Sequence, residues 1–248
     1  MKTIIDLMKY DKILLMRTKR SHKIFMIGLT LFLTLGSLLL PIYAGFAAFI
    51  IPIMIASEFS TVEIDHHGEL TKAILPVKRS QNVAARSLLV AGVSAAASAV
   101  LFIIVLISMK LDFFRSSEIL DQLIERSSKE TVVSVIFSGC YALGLGFASR
   151  ILRNYYRKGV SRKKGATLRN GLKFICVYFG IGALLYLLGT AANFPIIATI
   201  LMMITEIVSA LAQPMHGLLL CLLILLIGGG LMTYRTVCAM IEYEDREL

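Results

Sequence analysis

The sequence predicts an all-α polytopic membrane protein with six transmembrane helices and both termini cytoplasmic. Three observations predict it. Of 248 residues, 57% are hydrophobic and only 17% are charged, against roughly 25% charged in ordinary soluble domains. Uncharged stretches of about 20 residues or more, the length that crosses a bilayer, recur along the chain. The 26 Lys/Arg outnumber the 16 Asp/Glu and give a net charge of +10, and they concentrate in alternate connecting segments. With a mean hydropathy of +0.77, the chain lacks the polar coat of a soluble enzyme and the low hydrophobicity of a disordered tail. The four cysteines (Cys140, Cys176, Cys221, Cys238) lie in apolar stretches and read as packed thiols, not as a secreted disulfide framework.

The elements follow in order along a single transmembrane domain, 1–248. Residues 1–23 carry charges too often for a cleavable signal peptide. They read as an interfacial helix over 3–20, with Ile4, Leu7, Met8, Leu14 and Leu15 against lipid. Ile24–Ser57 is uncharged for 34 residues, too long for one perpendicular span, and Pro41 sits near its middle. It reads as spans 1 and 2 joined by a tight outer turn. Residues 58–82 form a cytoplasmic segment, 83–109 span 3, and 110–130 an outer segment with a short amphipathic helix over 116–128. In that helix Ile119, Leu120, Leu123 and Ile124 oppose Asp121 and Glu125. Span 4 covers 131–156, a basic cytoplasmic loop 157–171, and span 5 172–190. Residues 191–217 form an apolar re-entrant or extracellular segment, and 218–248 hold span 6 and a cytoplasmic tail. Ala191–Leu211 also has the length of a seventh span, but Pro195 and Glu206 favour the re-entrant reading.

Charge supports this count. The inner segments 1–23, 58–86, 150–173 and 235–248 hold 7, 4, 9 and 2 Lys/Arg, and the outer segment 110–130 holds 4. If Ile24–Ser57 were one span, the nine cations of 150–173, accompanied by no acid, would face outside, against the positive-inside rule.

Catalytic chemistry is not legible. No GxSxG, HExxH, EF-hand loop or CxxC occurs, and no GxxxxGK[ST] phosphate loop. The chain is therefore not read as an enzyme. Glu63, Asp65, His66, His67 and Glu69 cluster, but neighbours on a helix point about 100° apart and do not converge on a metal. They read as a solvated loop at the head of a helix, and His216 as a boundary residue. Glu206 is the candidate buried carboxylate. After Asp65 or His66, a short helix carries Leu70, Ala73 and Ile74 on one side and ends at Pro76. Its apolar knob, framed by charge, suits a groove on another protein or an interfacial turn in lipid.

The stretch LPVKRSQNVAARSLL (Leu75 to Leu89) resembles the "slPvsRkxivxaryL" signature of bacterial ABC type-2 permeases, the membrane subunits of ATP-binding-cassette exporters. The opening LMKYDKILLMRTKR is similar to that family's "xxKDlxlxrk", with Tyr10 in place of the usual Lys before Asp11. The family's "fxxDexxgw" falls on Glu58–His67, without its aromatic. The predicted topology agrees over almost the whole chain. The resemblance is to the small stand-alone permeases of antimicrobial and cytolytic peptide exporters, those of phenol-soluble modulins among them. It implies an ABC type-2 permease fold in the bacterial cytoplasmic membrane. It also implies a coupling helix seated in an ATPase groove, here Gly68, Glu69, Leu70, Lys72, Ala73, Ile74, Leu75, Pro76, Lys78 and Arg79. The N-terminal helix, through Asp11, Leu14 and Arg17, would brace the same ATPase. The implied partners are two ATPase subunits, a second permease chain (a homodimer), membrane lipids and an amphipathic peptide substrate, with no nucleic acid. ATP and Mg would reside on the ATPase, and no cofactor on this chain.

Thr30 and Thr34 on span 1, with Gly28, and Tyr178, Gly180 and Gly182 on span 5 are candidate cavity residues, apolar with scattered hydroxyls. Ser138, Ala142 and Gly146 read as a packing face, and Ala91, Ala95 and Ala99 as a similar one. Gly228–Gly229–Gly230 reads as a close-packing site or a bend. The rival readings are a secondary carrier or channel built on Glu206, and an immunity protein that binds a toxin without transport.

Overall fold

The computed structural model describes residues 2–16, 28, 31, 34–35, 42–65, 78–110, 129–158 and 214–245. Among the described residues five helices form: α1 (Lys2–Met16), α2 (Ile42–Asp65), α3 (Arg79–Lys110), α4 (Lys129–Lys158) and α5 (Pro214–Glu244). The protein is all-helical here, and three helices, Arg79–Lys110, Glu130–Arg157 and His216–Glu244, are long and apolar enough to cross a membrane. Ala44–Phe59, within α2, is a shorter apolar helix. Helices suit such a setting because every backbone polar group is answered within the element.

Helix α4 is the centre of the bundle, with α2 along one side and α5 along another. Helix α3 packs on α2 and α5 and touches α4, and α1 lies against α3 and α2. Direction follows from the contacts. Gly45 meets Ile136 and Cys140 while Gly144 meets Phe49, so α2 and α4 run parallel. Gly228 meets Ala142 and Arg153 meets Glu242, so α4 and α5 also run parallel. Ser94 meets Tyr141 and Phe102 meets Phe137, so α3 runs antiparallel to α4.

Lipid tails are as apolar as leucine, so helices in a bilayer associate by close packing and not by hydrophobic sorting. Small residues provide it. Ala44, Ala47, Ala48 and Ala56 of α2 have no exposure. A Cβ added at Gly144 would lie 2.5 Å from the Phe49 carbonyl oxygen, and one at Gly228 2.7 Å from the Ala142 Cβ. Gly146 touches Leu231 and Ser138 is buried, so the Ser138/Ala142/Gly146 face is a packing face. Pro52 lies inside α2 and is fully buried, without ending the helix. Phe59, Val90, Leu101, Val105, Phe137, Leu145, Leu152 and Met232 complete the main core.

Several expectations are corrected. Ala95 and Ala99 are exposed, so the second alanine face is not a packing face. Helix α3 instead buries Val83, Arg86, Ser87, Val90, Ser94, Ser98, Leu101, Val105 and Ser108, because its charge and hydroxyls need protein partners. Leu7 does not face lipid but is 4% exposed within the protein, since the same face of α1 carries Asp11 into the bundle. Helix α2 runs on to Asp65, so Glu63 and Asp65 end a helix and do not sit in a loop. Nothing in STVEID breaks a helix, and the extension brings Phe59 to the first turns of α3. Helix α5 starts at Pro214, four residues before the expected start of span 6, with proline at a first-turn position that needs no N–H.

The glycine contacts make a direct prediction. Gly144→Ala lowers stability by about 1–3 kcal/mol, because the new methyl meets rigid backbone. Gly92→Ala, with nothing within 4 Å, leaves it unchanged or slightly raised. Thermal unfolding of the two purified variants beside the parent checks the ordering.

Candidate functional site at the basic end of the bundle

The start of α3 and the ends of α2, α4 and α5 converge, and α1 joins them. At the centre is Arg86, whose side chain has no solvent exposure. Its Nη2 donates to Asp11 Oδ1 at 3.4 Å, and Asp11 is equally buried. The guanidinium carbon lies 5.5 Å from the ring centroid of Tyr155, 5.7 Å from Tyr156 and 6.0 Å from Phe59. A cation at this distance is attracted by the negative faces of the rings, more strongly once water is removed. Among these contacts, α1 supplies an anion and α2 and α4 supply aromatic faces.

The cluster continues into α5. Tyr156 packs on Tyr243, with centroids 5.0 Å apart. Arg79 Nη1 donates to the Tyr243 carbonyl at 3.4 Å, and its guanidinium lies 5.7 Å from that ring. Val83 and Ala239 fill the space between. Beside it, Arg153 grips Glu242 through two bonds, Nε to Oε2 at 3.2 Å and Nη2 to Oε1 at 2.6 Å. This fork geometry fixes orientation as well as charge. Arg235 Nη1 donates to the Gly146 carbonyl and to Ser149 Oγ. Together these contacts fasten the last turns of α5 to α4.

Lys78 is exposed, and its carbonyl accepts from the amides of Gln81 at 3.0 Å and Asn82 at 3.4 Å, opening α3. Asn82 is buried, and among the described residues nothing donates to its Oδ1. Deeper in the bundle Tyr141 and Ser94 share a hydrogen bond at 3.3 Å, and Ser94 Oγ donates to the Ala91 carbonyl at 3.1 Å. Tyr141 thus donates to Ser94, whose own proton is committed. Cys140, Cys221 and Cys238 are free thiols, partly buried. Among the described residues no group of His, Cys, Asp and Glu is placed to hold a metal.

Two of the sequence-derived site residues meet in this cluster: Asp11 and Arg79. Asp11 is buried within the chain, and its Oδ1 accepts from Arg86 Nη2. Arg79 is the first residue of α3 and faces Tyr243. Thr34 is a half-buried helical position, and Gly28 is exposed. Leu14 lies on α1, without a described side chain. Gly68, Glu69, Leu70, Lys72, Ala73, Ile74, Leu75, Pro76, Arg17, Thr30, Tyr178, Gly180, Gly182 and Glu206 lie outside the described residues, as do the outer helix 116–128 and span 5. Arg86, Tyr155, Tyr156, Tyr243 and the Arg153–Glu242 pair escaped the sequence reading. The available signal was Arg86 itself, a charge two turns inside a helix that otherwise turns apolar after Arg79. No family model, curated protein or solved structure matches the chain.

The geometry sets an order of sensitivity. Arg86→Gln costs about 2 kcal/mol or more, because it strands a buried carboxylate and removes the cation from three rings. Arg153→Gln, at a partly exposed pair, costs less. Thermal unfolding midpoints of the two variants in one detergent check the ordering.

Proposed function

We propose that this chain is the membrane permease subunit of an ATP-binding-cassette exporter of the type-2 class. It resides in a bacterial cytoplasmic membrane and pairs with a second copy of itself. Two separate ATPase subunits carry the ATP and Mg, and the chain itself is not an enzyme. The observation that carries the reading is the placement of Arg79 and Arg86. Both lie in the Leu75–Leu89 stretch that resembles the permease signature, and both are tied to other helices. The helices that flank the proposed coupling segment, α2 and α3, meet where Arg86 lies over the Phe59 ring. A push on that segment is delivered to α1, α4 and α5 through packed side chains. Such a contiguous network is what coupling between a partner's site and a membrane pathway requires. ATP-driven closure of the ATPases acts through differential contact with two arrangements of these helices. The pathway accepts an amphipathic peptide along an apolar lining with scattered hydroxyls.

Parity supports six spans. Asp11 and Arg86 place α1 at the end of the bundle where α2 finishes, while Ile42 starts about 26 Å away at the other end. That separation is what the two-span reading of Ile24–Ser57 requires. Helices α4 and α5 are parallel, which the six-span reading requires through an odd number of crossings between them. One crossing, by 172–190, meets this condition. A second, by Ala191–Leu211, does not.

Two experiments test the proposal. In a chain with its four cysteines replaced by alanine, single cysteines at Ser117, Ser161 and Gln213 are probed on intact cells with a membrane-impermeant maleimide. Positions 117 and 213 label and 161 does not; protection of 213 would overturn the six-span topology. Separately, the detergent-solubilised chain is co-purified with co-expressed candidate ATPases, and wild type is compared with Leu70→Asp/Ile74→Asp. The wild type retains an ATPase whose hydrolysis rises with amphipathic peptides, and the double variant inserts but loses it. If no ATPase binds the wild type, a carrier centred on Glu206 replaces the permease reading.

A further inference from the structure

We propose that α1 is a detachable arm, with Asp11–Arg86 as its catch and the rings of Phe59, Tyr155 and Tyr156 as the resting place for the Arg86 charge while the arm is away. Among the described helices, α1 packs on α3 and α2 at the margin of the bundle. Its inward face is Leu7, 4% exposed, and Asp11, one turn later and fully buried. Its outward face carries Ile5 and Ile13, both more than half exposed, and Lys9 between them.

Opening an ordinary buried ion pair strands both charges in a medium that cannot solvate them. This pair differs in both halves. The rings near Arg86 stand on α2 and α4, so they stay in place when α1 leaves. Asp11 stands on the marginal helix and regains water by leaving with it. Each charge has a second environment, which is the requirement for two discrete states of one element. Undocking uncovers the first turns of α3, directly after residues 66–77, so the arm controls how firmly that junction is held. This inference rests on the described contacts and does not depend on the transport reading.

Hydrogen exchange of the full chain in nanodiscs of phosphatidylethanolamine and phosphatidylglycerol, followed by mass spectrometry, tests it. Asp11→Asn weakens the catch and leaves the rings. Amides of 2–16 then exchange about tenfold faster, while those of 79–110 and 129–158 stay within about twofold of wild type. Unchanged exchange in 2–16 overturns the catch. Equal acceleration of all three regions overturns the arm and makes Asp11 a plain core residue. A second comparison tests the rings. When Asp11→Asn is combined with Phe59→Leu and Tyr155→Leu, acceleration spreads into 79–110, because Arg86 has lost two of its three rings. Acceleration still confined to 2–16 overturns the role of the rings. If the triple variant does not insert, Arg86→Lys with Asp11→Asn, which keeps the charge without the flat stacking surface, gives the same two outcomes.

Discussion

A guanidinium that water does not reach has to be answered by the chain itself, and Arg86 is that guanidinium. The effective cost of desolvating an ion in a protein is several kcal/mol. Meeting it takes an anion and polarizable faces at once, and the contacts around Arg86 draw them from different helices. Asp11 comes from α1, Phe59 from α2, and Tyr155 and Tyr156 from α4. The positions of these helix ends are therefore conditions on one another. Tyr156 against Tyr243 extends the same condition to α5.

The bundle holds together by two kinds of contact. At the basic end, charged side chains reach across gaps between helices and choose partners by geometry, as Arg153 does with Glu242. Deeper in, the helices approach until backbone meets backbone, at Gly144 against Phe49 and at Gly228 against Ala142. Hydroxyls add to this second kind: Ser94, Ser108, Ser138 and Ser149 each donate to a carbonyl of their own helix, which lets them be buried. The outer faces of α3 and α5 keep large apolar side chains exposed, such as Ile103, Leu222 and Leu226, which is the surface lipid fits.

Helix positions were legible in the sequence because uncharged length and cation placement are properties of single segments. Helix ends were less so. Glu63 and Asp65 read as loop because they are charged, yet α2, the helix that brings Phe59 to Arg86, continues through them. The candidate site was mostly illegible for a related reason. Asp11 and Arg86 are 75 positions apart, and nothing local to either marks the other. Periodicity showed that α1 is two-sided but not which side meets protein, so Leu7 was assigned to lipid. Small residues at four-residue spacing show that close approach is allowed. A partner helix used that permission at Ala142 and Gly146, while Ala95 and Ala99 stay exposed.

The parallel pairing of α4 with α5 has a consequence for biosynthesis. Neighbours that run in the same direction cannot be made as a hairpin. The ribosome must add residues 159–213 after α4 before α5 begins. At about 5–20 residues per second this interval lasts roughly 3–10 s. For that time the α4 face bearing Ala142, Gly146 and Arg153 is in the membrane without its native partner. A polar, glycine-lined helix face thus waits several seconds for its partner in this architecture, and α5 is the helix that covers it.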